Sequence, residues 1–506
     1  MPRCLSLAIE CGCCNFAAKN KPKDIMFKLT RTFFLLFCCC GAVVAEAGPL
    51  SLDSCRNMAL RNNKAMQIAR EKVNAATYQR KQAKAAYLPA LDFAGTYMYN
   101  QKELSLLAED QMLPTKSFNP QTGSYDYNLV MKPDGTPLVV NGTSVPSQVA
   151  MIPKEAMTFD IHNVFAGAVT LTQPLFMGGK IRALNKMAEL GEEIAVQLRD
   201  NAAREVVYEV DAAYWQVVSL GEKKRLADSY IALLDTLRRN VSAMVGEGVA
   251  TKADLLTVEV KLNEARIDQT KVDNGLALSR MALAQICGLP INSPMELADE
   301  NETHRRISDG GQDDVRYDIG EVYARRSDLR SLELAVKAGE HQQSVARSEM
   351  MPTVALVGAY TFTNPNLFNG FEKKFNGMFS VGAMVKIPLW HWGGNYNKYK
   401  AARSATLVRQ LELDDAREKV ELQVSQAAFK ASEAKKTLAA TRSNLGKAEE
   451  NLRQARVGYK EGVMAIDHVM EAQTAWLKAN SENIDADIDV QLCRIYLAKV
   501  TGTLDY

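Results

Sequence analysis

Histidine and cysteine would carry metal or nucleophile chemistry, and neither is arranged for it in this chain. Five histidines (His162, His304, His341, His391 and His468) are scattered over 506 residues without metal-ligand spacing. Seven of the ten cysteines (Cys4, Cys11, Cys13, Cys14, Cys38, Cys39 and Cys40) crowd the start of the chain. The other three, Cys55, Cys287 and Cys493, are an odd number whose spacing fits neither a disulfide framework nor a zinc site. They read as small core residues on helices. No nucleophile motif or phosphate-binding loop stands out, so the residues argue against an enzyme. The informative polar residues lie in two short runs. In the first, Gly246 and Gly248 suit a tight turn, and Thr251 with Asp254 three positions on has the spacing of a capping box. In the second, Tyr459 precedes Gly462, then Met464, His468 and Glu471 follow. His468 and Glu471, three apart on a helix, share one face. The chemistry open to such groups is hydrogen bonding and ion pairing around helical turns.

These runs belong to a duplication. Gln173-Pro174-Leu175-Phe176-Met177-Gly178-Gly179 returns as Ile387-Pro388-Leu389-Trp390-His391-Trp392-Gly393-Gly394, and Gly246-Glu247-Gly248-Val249-Ala250 returns as Lys460-Glu461-Gly462-Val463-Met464. Pro174 to Pro388 and Gly248 to Gly462 both span 214 positions, the mark of an internal repeat. Each copy reads as helix, strand, turn, strand, long helix, tight turn, helix.

The long helices carry the strongest pattern. Val420, Val424, Ala427, Ala431, Ala434, Leu438, Thr441, Leu445, Ala448, Leu452, Ala455 and Tyr459 alternate four and three, as do Val206, Val210, Ala213, Val217 and Leu220. A sustained period of about 3.5 predicts coiled-coil packing, and the many alanines let neighbouring helices approach closely. Helices over 179–245 and 394–459 would be on the order of 100 Å long. Segments 51–87 and 251–287, roughly 55 Å each, would together match one long helix if stacked.

Strands are expected at 91–99, 159–171, 354–362 and 378–387, with Leu91, Phe93, Tyr97 and Tyr99 on one face of the first. The aromatics Phe93, Tyr97, Tyr99, Phe159, Phe165, Tyr360, Phe362 and Phe379 are candidates for a barrel surface or girdle, and Trp390 and Trp392 flank a strand-to-helix junction. Pro89 to Pro174 spans 85 positions and Pro352 to Pro388 only 36. The excess of 49 falls in a polar, turn-rich loop at about 100–158 that includes Lys132-Pro133-Asp134-Gly135. Asn141-Gly142-Thr143 there matches a glycosylation sequon by coincidence. Four strands cannot close a membrane barrel, whose smallest size is about eight. Three chains would supply twelve.

Composition narrows the partners. The net charge of +2, with no basic stripe, sets nucleic acid aside. An aromatic content of 7% with abundant Ala, Leu, Glu and Lys favours helix. Met26 to Arg31 is a short basic start, Phe33 to Val44 an apolar run too short to span a bilayer, and Ala45-Glu46-Ala47 a small-x-small cleavage site. Residues 1–47 therefore read as a secretory signal, with 1–25 an upstream mis-start; a lipoprotein site at Cys38, Cys39 or Cys40 stays open, although Phe37, Cys38 or Cys39 before each is a poor fit to a lipobox. The expected organisation is a first repeat at 48–290, a linker at 291–318 and a second repeat at 319–506.

With Tyr87-Leu88-Pro89, Pro174-Leu175-Phe176, Gly178-Gly179, the run Gly248 to Leu256, Tyr459-Lys460-Glu461-Gly462 and Glu471-Ala472-Gln473, the chain resembles the TolC-like outer-membrane efflux protein family (outer membrane factors) across about residues 50–504. The resemblance implies a mainly α protein with membrane β: a homotrimer whose four strands per chain form a 12-stranded outer-membrane barrel, continued by a long α-helical coiled-coil periplasmic tunnel. It implies no cofactor and a passive duct, served by a periplasmic adaptor (membrane fusion protein) and an inner-membrane pump of RND or ABC type. Small-molecule export with an RND-type pump is the leading expectation, beside metal efflux and type I protein secretion. A secreted coiled-coil scaffold or adhesin is the alternative. The resemblance places Ala253, Asp254, Tyr459, Met464, His468 and Glu471 at the periplasmic entrance, with Gly246, Gly248, Thr251 and Gly462 at hairpin tips that contact the adaptor. Met464 replaces an expected basic residue, which leaves a hydrogen bond from Tyr459 to Asp254 as the surviving lock. His468 and Glu471 stand where the family has two acidic rings, which predicts weaker cation selectivity and sensitivity near about pH 6–7.

Overall fold

The computed structural model describes residues 49–300, 317–366 and 371–505. The expected leader at 1–47 and most of the expected linker lie outside them. The helices are α1 (Leu52–Asn62), α2 (Lys64–Ala85), α3 (Lys180–Gly246), α4 (Lys252–Ile286), α5 (Ile319–Arg325), α6 (Ser327–Ser348), α7 (Gly394–Lys460) and α8 (Ile466–Thr501). The principal strands are β1 (Ala90–Tyr99), β2 (Asn163–Phe176), β3 (Thr353–Asn364) and β4 (Asn376–Lys386).

Helices α3 and α7 have 67 residues each, about 100 Å. Both start after a glycine in the left-handed region, Gly179 at φ 87° and Gly393 at φ 76°, a conformation that favours glycine where strand turns into helix. All twelve seam positions read from α7 are buried or half-buried, as coiled-coil packing requires.

The expected single helix over 52–87 is two helices. Asn63 leaves helical geometry (φ −59°, ψ 137°), and its side chain caps α2 by accepting from the Ala65 amide at 2.7 Å. The same break recurs between α5 and α6 at Arg326 (φ −82°, ψ 114°). At each break the end of the following hairpin's return helix docks. Asn63 Nδ2 donates to Ile286 O at 2.8 Å, and Arg326 Nη1 donates to Val500 O at 3.1 Å. Gly288 and Gly502, both with positive φ, press against Asn62 and Arg325. The short helices thus meet midway along each long helix, and α1 lies against the end of α4.

Apolar clusters fill these joints. Cys55, Ala59, Val210, Tyr214, Leu283 and Leu297 form one, and Val322, Leu329, Val420, Val424 and Val500 the other. The first joint also buries charge. The Asp211 side chain has no exposed surface and receives Arg56 Nε at 2.7 Å and Nη2 at 2.6 Å. This two-pronged contact holds the Arg56 guanidinium above its ordinary pKa.

The four principal strands form one antiparallel meander in the order β1-β2-β3-β4. Its register places Phe93, Val169, Tyr360 and Phe379 in one row and Leu91, Leu171, Gly358 and Val381 in another, on one face. Tyr97, Phe165 and Phe362 share that face. The opposite face carries Thr96, Thr170, Thr172, Thr361, Thr363 and Ser380. Glycines on the aromatic face make room for rings: the Phe362 ring lies where a Cβ on Gly167 would be, and the Tyr360 ring does the same over Gly377. Phe159 lies outside this sheet, in a short strand.

The long connection between β1 and β2 is a series of small hairpins. Leu104–Ser105 pairs with Thr158–Phe159, Gln111–Pro114 with Val149–Ile152, Lys116–Asn119 with Ser124–Tyr127, and Val139–Val140 with Thr143–Ser144. Asn141 and Gly142 have positive φ and make the two-residue turn that Asn-Gly favours. The sequon match is therefore turn chemistry.

Candidate functional site

The two hairpin tips are built alike. After α3, the Val249 and Ala250 amides both return to Met244 O, at 2.8 and 3.2 Å, around Gly248 at φ 75°. After α7, the Val463 and Met464 amides return to Gly458 O, at 2.8 and 3.1 Å, around Gly462 at φ 73°. These wide returns close a helix through a left-handed residue. Gly246, Gly248 and Gly462 are open, with nothing near where a Cβ would stand.

Side chains distinguish the tips. Thr251 and Asp254 form the full capping box: Asp254 N donates to Thr251 Oγ1 at 3.2 Å, and Thr251 N donates to Asp254 Oδ2 at 2.9 Å. Ala465, at the corresponding position, starts α8 with no side-chain cap. Bulk is exchanged between the tips. Met244 and Ala250 in one face the places held by Gly458 and Met464 in the other, where Met464 lies over the bare Gly458 backbone. Met464 is thus packed onto its own turn, an arrangement open to an apolar side chain where a lysine would seek water.

The tips lie side by side. Tyr230, Leu234, Val241, Val258 and Leu262 of the first hairpin share a cluster with Leu452, Ala455, Ile466, Val469 and Met470 of the second. The expected hydrogen bond from Tyr459 to Asp254 is not formed within the chain. The Tyr459 hydroxyl points at Met244 Sδ, 3.7 Å away, while Asp254 is engaged by its own cap. The two still feel each other: burial, then the Asp254 charge, push the Tyr459 hydroxyl above its ordinary pKa. Ala253 is exposed. His468 and Glu471 are 66% and 86% exposed, and His468 Nδ1 lies 3.9 Å from Glu471 Oε2, on the shared face that their spacing predicts.

Met244 and Gly458 were not legible as partners of Tyr459 and Met464. Their positions, 214 apart like the turns, carry the only signal: a large residue facing a small one, with the order reversed between copies. Near the other end of the molecule the fold gathers Glu103, Asp160 and His162 with ligand atoms within 4.8 Å. Lys373 already pairs with Asp160, and its ammonium, aided by His162, holds that carboxyl far below its ordinary range.

The sheet ends in two unpaired edges, β1 and β4. Its aromatic face is open, with Phe93 69%, Phe379 70% and Val381 65% exposed. Trp390 and Trp392 are likewise exposed at the start of α7 and contact each other edge to face at 5.9 Å. A sheet with bare edges and a bare aromatic face is incomplete in one chain.

Known proteins share this arrangement. The family described as outer membrane efflux protein matches residues 151–289 and 319–503. Protein CyaE of Bordetella pertussis is 24% identical over 325 residues, which cover 63% of this chain and 66% of CyaE. The chain thus spans just under two thirds of that relative. Outer membrane protein TolC of Vibrio cholerae is 20% identical over 302 residues, covering 59% of this chain and 68% of TolC. Among solved structures, CusC superposes with a TM-score of 0.66 at 16% identity, covering 89% of this chain and 92% of CusC. The outer membrane protein VceC of Vibrio cholerae gives 0.66 at 13%, covering 89% and 96%.

Proposed function

The chain belongs to the outer membrane efflux protein family, and from that premise we propose that it is the exit duct of a tripartite efflux or type I secretion system. The leader at 1–47 directs it across the inner membrane. Three copies, each a pair of repeats at 48–290 and 319–506 joined by 291–318, close one barrel in the outer membrane of a Gram-negative cell. Their helices continue it as a periplasmic tunnel. An adaptor and an inner-membrane pump deliver substrate, and the duct passes it without chemistry.

The observation that carries this reading is the two-faced, two-edged sheet. An open edge in lipid leaves backbone groups unpaired, so edges must meet edges. Joining β1 of one chain to β4 of the next satisfies both, and three chains give a closed ring of twelve strands. The aromatic face turns to lipid and the threonine and serine face to the lumen, as a membrane barrel requires. A lumen face of mixed small hydroxyls, alanines and methionines, with Asp92 and Lys386, presents no concentrated chemistry for one substrate, which leaves the choice of substrate to the pump.

The hairpin tips form the periplasmic entrance, with Gly246, Gly248, Thr251 and Gly462 against the adaptor. Ala253, Asp254, Tyr459, Met464, His468 and Glu471 line the entrance. With Met464 folded onto its turn and Asp254 in its cap, the closure rests on the Tyr459 hydroxyl against Met244 Sδ and on the apolar cluster between the tips more than on ion pairs. His468 and Glu471 then form two stacked rings under three-fold symmetry, one of imidazoles and one of carboxylates.

Bilayer conductance of the detergent-purified trimer tests the reading. His468→Ala is expected to change the cation selectivity of wild type. Identical selectivity in both proteins would remove His468 from the pore. A monomer that stays soluble without detergent would defeat the duct itself.

A further inference from the structure

Cys55 and Cys287 are 232 positions apart and meet at the first joint. Both have no exposed surface. Cys55 lies on α1, which abuts the end of α4, and Cys287 is the residue that closes α4. The Cys287 thiol donates to Cys55 O at 3.7 Å, so the two residues are in direct contact. Cys493, the third cysteine among the described residues, is half-buried on α8 and belongs to neither joint cluster. The first joint thus holds two buried cysteines in contact, and the second holds none. In the second copy the corresponding positions, by the offsets that relate Asn63 to Arg326 and Gly288 to Gly502, are Asp318 and Thr501.

We propose that Cys55 and Cys287 form a disulfide in the exported protein, a covalent staple across the first joint. The proposal rests on the reading that the chain is exported, because oxidising compartments make and keep such bonds. The oxidant is a protein or small-molecule disulfide. The Cys55 thiolate attacks one donor sulfur, and the Cys287 thiolate then displaces the donor from the mixed disulfide. One S–S bond forms, one breaks, and the two cysteine protons end on the two donor thiols. Both sulfurs are sealed in the finished joint, so the exchange precedes docking of α1 onto α4.

The consequence is an asymmetry between halves of otherwise equal build. The loop closed by the bond contains β1, β2, α3 and α4, so the first hairpin is tied to its strands. The second joint is held by Arg326, by apolar contacts and by hydrogen bonds such as Tyr323 Oη to the Arg417 carbonyl at 3.3 Å, with Asp318 and Thr501 where the first has its cysteines. Local opening of the assembly then starts in the second half.

Peptide mapping of the full chain, taken from the outer-membrane fraction and alkylated with N-ethylmaleimide in denaturant without reductant, tests the bond. The expected map shows Cys493 alkylated and the Cys55 and Cys287 peptides linked, with dithiothreitol releasing both. Cys493→Ser should leave the link intact. Full alkylation of Cys55 and Cys287 before reduction, or a link to Cys493, overturns the proposal while leaving the duct reading untouched. Fractionation of the same cells reads export separately. Refolding the purified chain with glutathione disulfide decides the pairing independently of compartment: a Cys55–Cys287 link supports it, and mixed links among the three cysteines overturn it.

Discussion

Asn63 and Ile286 lie 223 positions apart, yet the Asn63 side-chain amide donates to the Ile286 carbonyl at 2.8 Å while its oxygen caps α2. One residue thus ends one helix, starts a second and satisfies the last turn of a third. Asn63→Ala should cost about 1–2 kcal/mol through the lost cap and the lost donor. Asn63→Ser, which keeps a capping oxygen, should recover part of this. Thermal melts of the three proteins in one detergent give the comparison.

Two glycines with nearly equal φ should respond differently to alanine. Gly248 (φ 75°) has open space around it, so Gly248→Ala should cost only the left-handed strain, about 1–2 kcal/mol. At Gly288 (φ 72°) an added Cβ would stand 2.6 Å from Asn62 Cβ and 2.8 Å from the Asn62 carbonyl carbon. Backbone must move there, and Gly288→Ala should lower the melting temperature clearly more than Gly248→Ala.

Arg56 neutralises a carboxylate sealed from water. Arg56→Ala should cost about 3–5 kcal/mol, because it leaves the Asp211 charge buried without its partner. The apolar double replacement Arg56→Met with Asp211→Leu should be much better tolerated. Breaking the surface pair Lys261–Glu264 by Lys261→Ala should change stability by less than about 1 kcal/mol. Denaturation of the three variants side by side would show whether burial sets the order.

The second joint should be sensitive to acid. Burial acts to raise the Asp328 pKa, but the Arg326 pair and the Leu329 amide outweigh it, and the net shift is downward from 3.8. A carboxyl with a depressed folded pKa contributes stability above its unfolded value and loses it as pH falls through the folded one. Asp328→Asn should therefore lose stability at pH 7 and show a smaller further loss below 3.8 than wild type. Melting temperatures from pH 7 down to about 3 would reveal that convergence.

Unequal capping makes the tips separable. Thr251→Ala should raise amide exchange at the start of α4 and cost about 1 kcal/mol. Ala465→Ser, in an already extended N-cap backbone (φ −75°, ψ 159°), should slow exchange at the start of α8. Hydrogen exchange read peptide by peptide would register both. Equal exchange in Ala465→Ser and wild type would mean that the second tip gains nothing from a cap.

Much of this molecule was legible because it is periodic. The helix and turn limits at 180–246 and 394–460 fall within a residue or two of the positions read from the glycines and the four-three seam, since backbone punctuation and heptad spacing are local signals. The helix break at Asn63 was not: an asparagine inside a polar helical stretch looks like any surface residue until its amide finds Ile286.

The sequence by itself determined the duplication, the lengths of the long helices, the four strands and the glycine turns, because each is written within a few tens of residues. Tertiary structure decided that the aromatics of neighbouring strands meet on one face, since a one-residue change of register would separate them. It decided that Asp254 serves its own helix and leaves Tyr459 to Met244. It also brought Cys55 to Cys287, a meeting of residues 232 apart that no spacing rule anticipates, because only the docking of α1 against the end of α4 brings them together.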